Sequence, residues 1–569
     1  MSAALLVLNK IKHGEYIKRF IVILVPLIIM VASWHYNVVC FETNDDYSMM
    51  SIVAGFRTGT PMPDTMFCNI IWGTFISTLY RLIGSIPWYA VAYFIIIYLS
   101  LVVIYDVCIC ICNGKIAYGT LMFCTMYICI FCWYTVILQF TVVPAFSGLA
   151  AILLMIKESN DPKSGLINSR FILFLILSLF SNLLRKEISY LFIIALITYG
   201  VVLYLFFKAN VKKYVLSDWA ILLITLGINN WRTYTTEWAE FWKYSKARSQ
   251  WIDYPNLSYY ENSDLYQSLG WNEKFYKLAS NWFFLDKKFS LDNLTKINEI
   301  NYENKAIIDD FSIKKILQDL LDGGINGFYI SIIASFILLL ILLLVKKRKK
   351  EIIIFCGGSI ATLILLMYIA LTGRILFRVV FAIILLFYIP ALVISLNKNF
   401  VEELVCLGKI LQIPVLIIAC TLTIYSVTAT DGLYKNMENF SKGMEEQQEV
   451  CTCLNNFVVQ YPNSYFIYDM SLALSGSPFE THPDEKPSNV RFWGGWEAFS
   501  PIDDNQLAVN GFKSMYVDDF FNDRVFFISA RYSTQISDLL LPYMQEQYAD
   551  CYLEELFTYD WLKIYQFKK

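Results

Sequence analysis

The chain has 569 residues, of which 57% are hydrophobic, 17% aromatic and 17% charged, and its mean hydropathy is +0.49. Soluble domains are nearer half apolar and a quarter charged, so this composition excludes a single soluble globule, a disordered chain, a collagen and a disulfide miniprotein. The net charge of −2 gives no basic field for nucleic acid. Residues 431–569 hold 21 acidic and 10 basic side chains, which leaves a net +9 for residues 1–430. A basic membrane part therefore precedes an acidic tail.

Most of the fourteen cysteines lie in apolar runs, where free thiols behave as small hydrophobic side chains. Three histidines in the whole chain argue against a histidine-rich metal site.

Apolar runs long enough to cross a bilayer recur along the first three quarters of the chain. A span needs roughly 20 apolar residues, and the sequence predicts eleven spans. They are 20–38, 87–106, 117–135, 137–156, 171–185, 188–207, 217–231, 328–345, 352–371, 376–396 and 409–428. The first lacks a small-residue cleavage site, so we expect a retained signal anchor.

Lysine and arginine are concentrated in every second connection between these spans, which is typical of cytoplasmic loops. The pattern predicts a cytoplasmic N-terminus and, with an odd number of spans, an extracytoplasmic C-terminus. We therefore predict a multi-pass, mainly α-helical domain over residues 1–430, with large outer loops at 39–86 and 232–327. Residues 431–569 alternate between helix and strand patterns, which predicts a small extracytoplasmic α/β domain.

The first outer loop begins with Phe-Glu-Thr-Asn-Asp-Asp-Tyr at 41–47. Asp45 and Asp46 would be costly facing lipid, and a shielded carboxylate there has a raised pKa and can act as a base. The alternative is a pair of solvated acids that cap the following interfacial helix. That helix is predicted over 66–82, after a turn-forming stretch that contains Arg57.

These residues carry a family resemblance. The pattern Glu-Thr-Asn-Asp-Asp-Tyr at 42–47, then Gly-x-x-Thr-Gly-x-Pro at 55–61 and Pro-Trp-Tyr at 87–89, resembles the GT-C class of membrane glycosyltransferases. Within that class, it resembles bacterial members attached to surface-polysaccharide or serotype-modifying systems.

The resemblance implies a GT-C-like fold in a bacterial inner (plasma) membrane. It implies a hexosyltransferase that moves a sugar from a polyprenyl-phosphate donor to a surface glycan or lipid-linked glycan, with inversion. Asp45 or Asp46 would be the base. A donor synthase and a small flippase would be partners besides the membrane lipid, and no nucleic acid is involved. The residues demand no cofactor, although a divalent ion at Asp45 and Asp46 is compatible with them.

Two cation clusters lie at the same predicted outer surface. Arg185, Lys186 and Glu187 form the turn of a hydrophobic hairpin over 171–207, and Arg374 and Arg378 open the tenth span one helical turn apart. We assign Arg374, Arg378, Arg185 and Lys186 to the donor phosphate, because arginines can hold a phosphate bidentately and fixed cations stabilise it as a leaving group. The alternatives are headgroup snorkelling for the two arginines and a local ion cluster for the hairpin turn.

The outer loop at 232–327 interleaves aromatic with polar side chains, which suits sugar recognition because rings stack on pyranose faces. We assign Arg248 and Asp253 there, together with Arg57 and Glu187, to substrate binding. The alternative is an interfacial helical cap. The glycine-containing loop at 491–501 would contact an acceptor glycan or only pack its two tryptophans.

Three rival functions remain. A polysaccharide polymerase would transfer oligosaccharide blocks. A transporter or flippase for lipid-linked sugars predicts charges at the bilayer midplane and inverted repeats, whereas these polar clusters lie at one surface. A non-enzymatic envelope scaffold would tolerate loss of Asp45 and Asp46.

Overall fold

The computed structural model describes residues 2–159, 167–254, 257–304, 326–371, 375–406, 409–481 and 488–569. Within this part of the chain, eight helical stretches are long and apolar enough to cross a bilayer. They are Glu15–Tyr36, Trp88–Ile111, Val142–Ser159, Lys186–Phe207, Asn326–Val345, Lys349–Leu371, Phe377–Ser395 and Val415–Val459, the last with a turn at 429–432. Two shorter apolar helices, Ile116–Phe131 and Ser169–Leu184, accompany them.

The helices of the membrane part and its outer loops are α1 (Ser2–Tyr36), α2 (Asn44–Ala54), α3 (Ile70–Leu82), α4 (Trp88–Ile111), α5 (Ile116–Phe131), α6 (Trp133–Val136), α7 (Val142–Ser159), α8 (Ser169–Leu184), α9 (Lys186–Phe207), α10 (Lys212–Thr235), α11 (Trp238–Ile252), α12 (Ser263–Ser268), α13 (Glu273–Ser280), α14 (Leu291–Asn304), α15 (Asn326–Val345), α16 (Lys349–Leu371), α17 (Phe377–Ser395), α18 (Lys398–Cys406) and α19 (Lys409–Thr428). The C-terminal part adds α20 (Leu433–Val459), α21 (Pro501–Val509) and α22 (Leu541–Gln547). The strands are β1 (Cys40–Phe41), β2 (Ile137–Leu138), β3 (Tyr465–Tyr468), β4 (Val490–Phe492), β5 (Val525–Ala530), β6 (Tyr552–Tyr559) and β7 (Leu562–Lys568).

The predicted span at 217–231 differs from the others. It lies in α10, which is not among the eight apolar stretches. The reason is its polar content: buried Asp218 accepts a hydrogen bond from Asn182 of α8 at 2.8 Å, and Asn229 accepts one from the Ile70 backbone at 3.2 Å. These bonds tie α10 to α8 and α3 through two polar side chains, while Leu223 and Ile224 on the same helix are exposed.

The core of the membrane part is built around α7. Nearly all of its residues are buried, and it packs against α4, α8 and α9. Close approach of these helices requires small residues: a Cβ on Gly148 would lie 2.9 Å from both the Phe192 ring and the Ser181 hydroxyl. This packing brings together the N-terminal ends of α4, α7 and α9, beside the polar residues of 41–47.

A short parallel pairing joins the first outer loop to this core. Cys40 and Phe41 of β1 pair with Ile137 and Leu138 of β2, and the Glu42 backbone N–H donates to the Leu138 carbonyl at 3.0 Å. The acidic motif is therefore held against the start of α7. Its helix, α2, begins at Asn44 and has both aspartates in its first turn.

The C-terminal part folds as a five-stranded sheet in the order β4-β3-β5-β7-β6. The β3 strand pairs in parallel with β4 and β5, whereas β7 pairs antiparallel with β5 and β6. The long outer loop does not stand apart from this sheet, because buried Trp251 and Trp271 of the loop belong to the same apolar cluster as Trp493 and Phe527. The prediction of a mainly helical polytopic chain with a small C-terminal α/β domain is confirmed, while membrane orientation stays a prediction.

Candidate active site

A cavity of about 1120 Å³ lies where the first outer loop, the membrane helices and the C-terminal part meet. The sequence-predicted site residues in its wall are Asp45, Arg57, Arg185, Glu187, Arg248, Asp253 and Arg378. The rest of the wall includes apolar residues of α9, α16 and α17 on one side and residues of α2, α11, α20, 468–474 and 490–497 on the other. The cavity therefore has an apolar half and a polar, aromatic half.

Asp45 lies in the wall of this cavity at the start of α2. Burial raises the pKa of its carboxyl group, and the guanidinium groups of Arg378 and Arg185 partly offset that rise. Asp253 raises the pKa further, whereas the Trp496 side chain lowers it. Asp45 thus combines access to the cavity with an elevated pKa, which are the two properties required of a general base.

Asp46 has different surroundings although it is the next residue. It is fully buried and is not part of the cavity wall. The hydroxyls of Tyr89 and Tyr93 each donate to its Oδ1 at 3.2 Å, and the Phe140 backbone N–H donates to its Oδ2 at 3.3 Å. Burial raises its pKa well above the ordinary value. Asp46 is therefore placed to hold the surrounding structure rather than to meet a substrate.

Arg185 caps the junction between α8 and α9 and lines the cavity. Its guanidinium lies 4.6 Å from the centre of the Phe140 ring and pairs with Glu187 at 2.8 Å. Glu187 is 68% exposed at the side chain, so the pair is screened by solvent. Lys186 is exposed and is not among the lining residues.

Arg378 lies in the first turn of α17 with only 17% of its side chain exposed, which does not fit a freely snorkelling headgroup contact. Its Nη1 is 3.8 Å from Oε2 of Glu42. Glu42 in turn accepts a hydrogen bond from the Tyr134 hydroxyl at 2.9 Å, and burial raises its pKa. The predicted partner of Arg378, Arg374, lies outside the described residues.

Arg57 connects the first outer loop to the C-terminal part. Its Nη2 lies 3.0 Å from Oε1 of Glu497, and 12% and 17% of the two side chains are exposed. The Glu497 carboxylate keeps the pKa of Arg57 above its ordinary value despite burial, which alone would lower it. This shielded pair lies in the cavity wall, so a substrate in the cavity would contact it.

Arg248 and Asp253 both lie on α11 or at its end and both line the cavity. Arg248 is only 2% exposed and donates to the carbonyls of Gly495 and Trp496, each at 2.7 Å. Burial lowers its pKa. Asp253 accepts a hydrogen bond from the Ser249 hydroxyl at 2.7 Å. Arg248 therefore fastens the long loop to the C-terminal part, whereas Asp253 faces the cavity.

The apolar half of the cavity is formed by three membrane helices. Its lining side chains are Ile188, Leu191, Ile194, Leu365, Tyr368, Ile369, Val379 and Ile383. At the rim, Ile194 is 51% and Tyr368 is 65% exposed. An apolar groove that is open on one side and lies on membrane-spanning helices suits a long hydrocarbon chain.

Sequence reasoning missed Glu42, Trp496 and Glu497 as members of the site. Glu42 stands three residues before Asp45 in the same motif, and this spacing could have signalled it. Trp496 and Glu497 belong to a Trp-Gly-Gly-Trp-Glu sequence at 493–497, and the sequence pattern alone indicates only an acceptor loop or a packing turn there. Among the residues that the structure describes, no group of three or more histidine, cysteine, aspartate or glutamate side chains is arranged to hold a metal ion.

Comparison with known proteins gives matches only among solved structures. No family model and no curated protein sequence matches the chain. The structure of ArnT from Cupriavidus metallidurans bound to undecaprenyl phosphate is 12% identical, covering 96% of this chain and 97% of that one with a TM-score of 0.38. The same protein in the apo state is 11% identical, covering 97% and 98% with a TM-score of 0.42.

A third similar structure is the archaeal oligosaccharyltransferase AglB from Archaeoglobus fulgidus, solved with an inhibitory peptide and a dolichol-phosphate. It is 12% identical, and the match covers 91% of this chain and 70% of that one with a TM-score of 0.39. These likenesses extend along nearly the whole chain but are too distant to assign a role to any residue, so the function proposed below rests on the cavity itself.

Proposed function

We propose that this protein is a membrane glycosyltransferase that moves a sugar from a polyprenyl-phosphate donor to a glycan hydroxyl on the extracytoplasmic side. The observation that carries the proposal is Asp45, which lies in one cavity wall with Arg185 and Arg378. A base, cations for a phosphate and a groove for a hydrocarbon chain occur together there. Glycosyl transfer from a lipid phosphate requires these three elements.

The donor would bind with its polyprenyl chain in the apolar half of the cavity. Its phosphate would then lie near Arg378 and Arg185, each at or next to the N-terminus of an α-helix. Guanidinium groups bind phosphate oxygens bidentately, and a helix N-terminus favours an anion. Glu42 beside Arg378 and Phe140 beside Arg185 would keep the two guanidinium groups in position.

The reaction would be a single displacement. The acceptor hydroxyl oxygen bonds to the anomeric carbon as the bond from that carbon to the phosphate oxygen breaks. The hydroxyl proton goes to Asp45, and the electron pair of the broken bond stays on the phosphate, which leaves as polyprenyl phosphate. Attack from the face opposite the leaving group inverts the anomeric configuration. Arg378 and Arg185 would stabilise the charge that develops on the phosphate.

The pKa of Asp45 fits this role. An ordinary aspartate, with a pKa near 3.9, is a weak base at neutral pH. Burial raises the pKa of Asp45 and so increases its affinity for the proton that it removes. The opposing effect of Arg378 and Arg185 would keep enough of the carboxylate ionised to act.

The acceptor would enter through the polar half of the cavity, where Trp242, Tyr254 and Trp282 supply rings and Asp253 a carboxylate. Rings that stack on sugar faces and carboxylates that bind hydroxyls suit a surface glycan or a lipid-linked glycan. Addition of one sugar per turnover would distinguish this activity from that of a polymerase, which would yield a ladder of products. A transporter would move the donor without changing it.

The test is sugar transfer by the full chain in membranes, with radiolabelled polyprenyl-phosphate monosaccharides and a glycan acceptor. Asp45→Asn should lower transfer by about 100-fold or more, since removal of a general base costs 10²–10⁴-fold. Binding of polyprenyl phosphate should persist. The matched control is Asp523→Asn, because Asp523 is 97% exposed at its side chain.

Full transfer by Asp45→Asn at normal abundance would overturn the assignment of the base. If the wild-type protein carries intact donor into vesicles and transfers no sugar, the protein is a transporter and the glycosyltransferase proposal is wrong.

A further inference from the structure

The turn Trp493–Glu497 joins the C-terminal part to the cavity. It follows β4 and leads into α21. Its backbone is fixed at two glycines: a Cβ on Gly494 would lie 1.6 Å from the Trp282 carbonyl oxygen, and Gly495 has a φ of +83°. Neither position accommodates an ordinary side chain without a shift. The two glycines therefore let the turn pack directly on the backbone of the long outer loop at Trp282.

Hydrogen bonds also hold this turn against the long loop. Arg248 donates to the carbonyls of Gly495 and Trp496, and the Phe284 backbone N–H donates to the Trp493 carbonyl at 3.1 Å. The Arg248 guanidinium also lies 5.5 Å and 5.6 Å from the ring centres of Tyr244 and Phe284. A buried guanidinium with these partners holds the turn rigidly.

Two side chains of this turn reach the first outer loop. Glu497 pairs with Arg57 at 3.0 Å. The Trp496 ring lies 4.9 Å from the Phe67 ring and lines the same cavity as Asp45. Phe67, Trp496 and Glu497 all line the cavity.

We infer that Trp496 and Glu497 are positioning residues of the active site, through which the C-terminal domain orients Asp45 and Arg57 for the substrate. The inference rests on the proposed function. It makes the C-terminal domain a working part of the catalytic cavity and not an appended module. Trp496 would aim the Asp45 carboxylate, and Glu497 would keep Arg57 extended across the cavity wall.

A role in orienting Asp45 has a signature in the pH dependence of the reaction. The charged and titratable groups that face Asp45 are Arg378, Arg185 and Asp253 from neighbouring elements and Glu42 and Asp46 from its own segment. None of these changes when Trp496 is replaced. The Trp496 side chain lowers the pKa of Asp45, so its replacement should raise that pKa and move the acidic limb of kcat/KM to higher pH.

The experiment compares Trp496→Phe with Trp561→Phe in the full chain, because Trp561 is 47% exposed in the β6–β7 turn, away from the cavity. Trp496→Phe should lower kcat roughly tenfold and shift the acidic limb upward, while polyprenyl phosphate binds within roughly twofold of the wild type. Trp561→Phe should match the wild type in all three respects. A Trp496→Phe protein with wild-type kcat and pH profile would overturn the inference.

Glu497→Gln provides the second variant if Trp496→Phe does not accumulate. It should lose transfer while it retains polyprenyl phosphate binding, and full transfer would contradict the positioning role. Asp45→Asn in the same assay distinguishes a failure of this inference from a failure of the proposed function. If Asp45→Asn is inactive and the turn variants are normal, only this inference fails. If Asp45→Asn is fully active, the proposed base itself is wrong.

Discussion

The backbone N–H of Phe140 donates to Oδ2 of Asp46 at 3.3 Å. The ring of the same Phe140 lies 4.6 Å from the guanidinium of Arg185, which lines the cavity together with Asp45. Asp46 is thus connected to the cationic wall of the cavity through one residue. Two adjacent aspartates therefore have separable roles: Asp45 would exchange a proton with the substrate, whereas Asp46 would position the residue behind Arg185.

The first prediction follows from that separation. Asp46→Asn keeps one acceptor oxygen for the tyrosine and Phe140 donors, and we expect transfer to fall by about tenfold or less, against about 100-fold or more for Asp45→Asn. Asp46→Leu leaves buried donors unsatisfied and should lower stability by about 1–3 kcal/mol. Transfer rates and thermal unfolding measure the two effects. If Asp46→Asn is inactive and Asp45→Asn is active, Asp46 is the base and Asp45 the positioning residue.

The second prediction concerns pH. A base acts in its ionised form, so transfer should be present above the pKa of Asp45 and be lost as the pH falls through it. Burial raises that pKa, so the acidic limb of kcat/KM should lie above the ordinary aspartate value of about 3.9. Arg378 is the strongest opposing cation, and Arg378→Gln should move the limb to still higher pH. A limb that stays in place would show that another group is the base.

The third prediction tests the phosphate site. Arg378→Lys keeps the charge but loses the planar pair of donors, and we expect polyprenyl phosphate affinity to fall roughly tenfold. Arg378→Gln also loses the charge and should weaken binding about 100-fold, equal to about 2.7 kcal/mol. The measurement is binding of polyprenyl phosphate to the detergent-solubilised protein at two salt concentrations. Arg531→Gln, at an exposed position of the C-terminal part, is the control. Unchanged affinity in both Arg378 variants would remove Arg378 from the phosphate site.

The sequence predicts most of the membrane helices because hydrophobic runs alone determine them. It also predicts that Arg185 and Arg378 lie at the same surface as Asp45, since alternate basic connections assign each turn to a side. In α10 the polar residues Asp218 and Asn229 lower the apolar content and bond to α8 and α3, so the span at 217–231 stays a prediction. Hydropathy measures apolar content and cannot show that a polar side chain has a buried hydrogen-bond partner.

The contacts that complete the site join residues far apart in the chain, and no local pattern encodes them. Arg57 meets Glu497, and Arg248 meets the carbonyl of Trp496. Both pairings depend on the long loop and the C-terminal sheet sharing one apolar cluster. The difference between Asp45 and Asp46 arises in the same way, because the pairing of β1 with β2 brings Phe140 against Asp46 alone.

The last prediction concerns the apolar groove. Ile194 lies at its rim on α9 and is 51% exposed, so Ile194→Asn should preserve the fold while it places an amide against the hydrocarbon chain. Each buried methylene contributes about 0.8 kcal/mol, and loss of one or two such contacts should weaken binding of a long-chain polyprenyl phosphate roughly tenfold. A short-chain phosphate that does not reach the rim should bind normally. Ile337→Asn is the matched control, because Ile337 is 51% exposed on α15 and is not part of the cavity wall. Equal losses of affinity for the long-chain and short-chain phosphates would show that Ile194 acts on the phosphate end. If both variants bind both phosphates equally well, the hydrocarbon chain lies elsewhere.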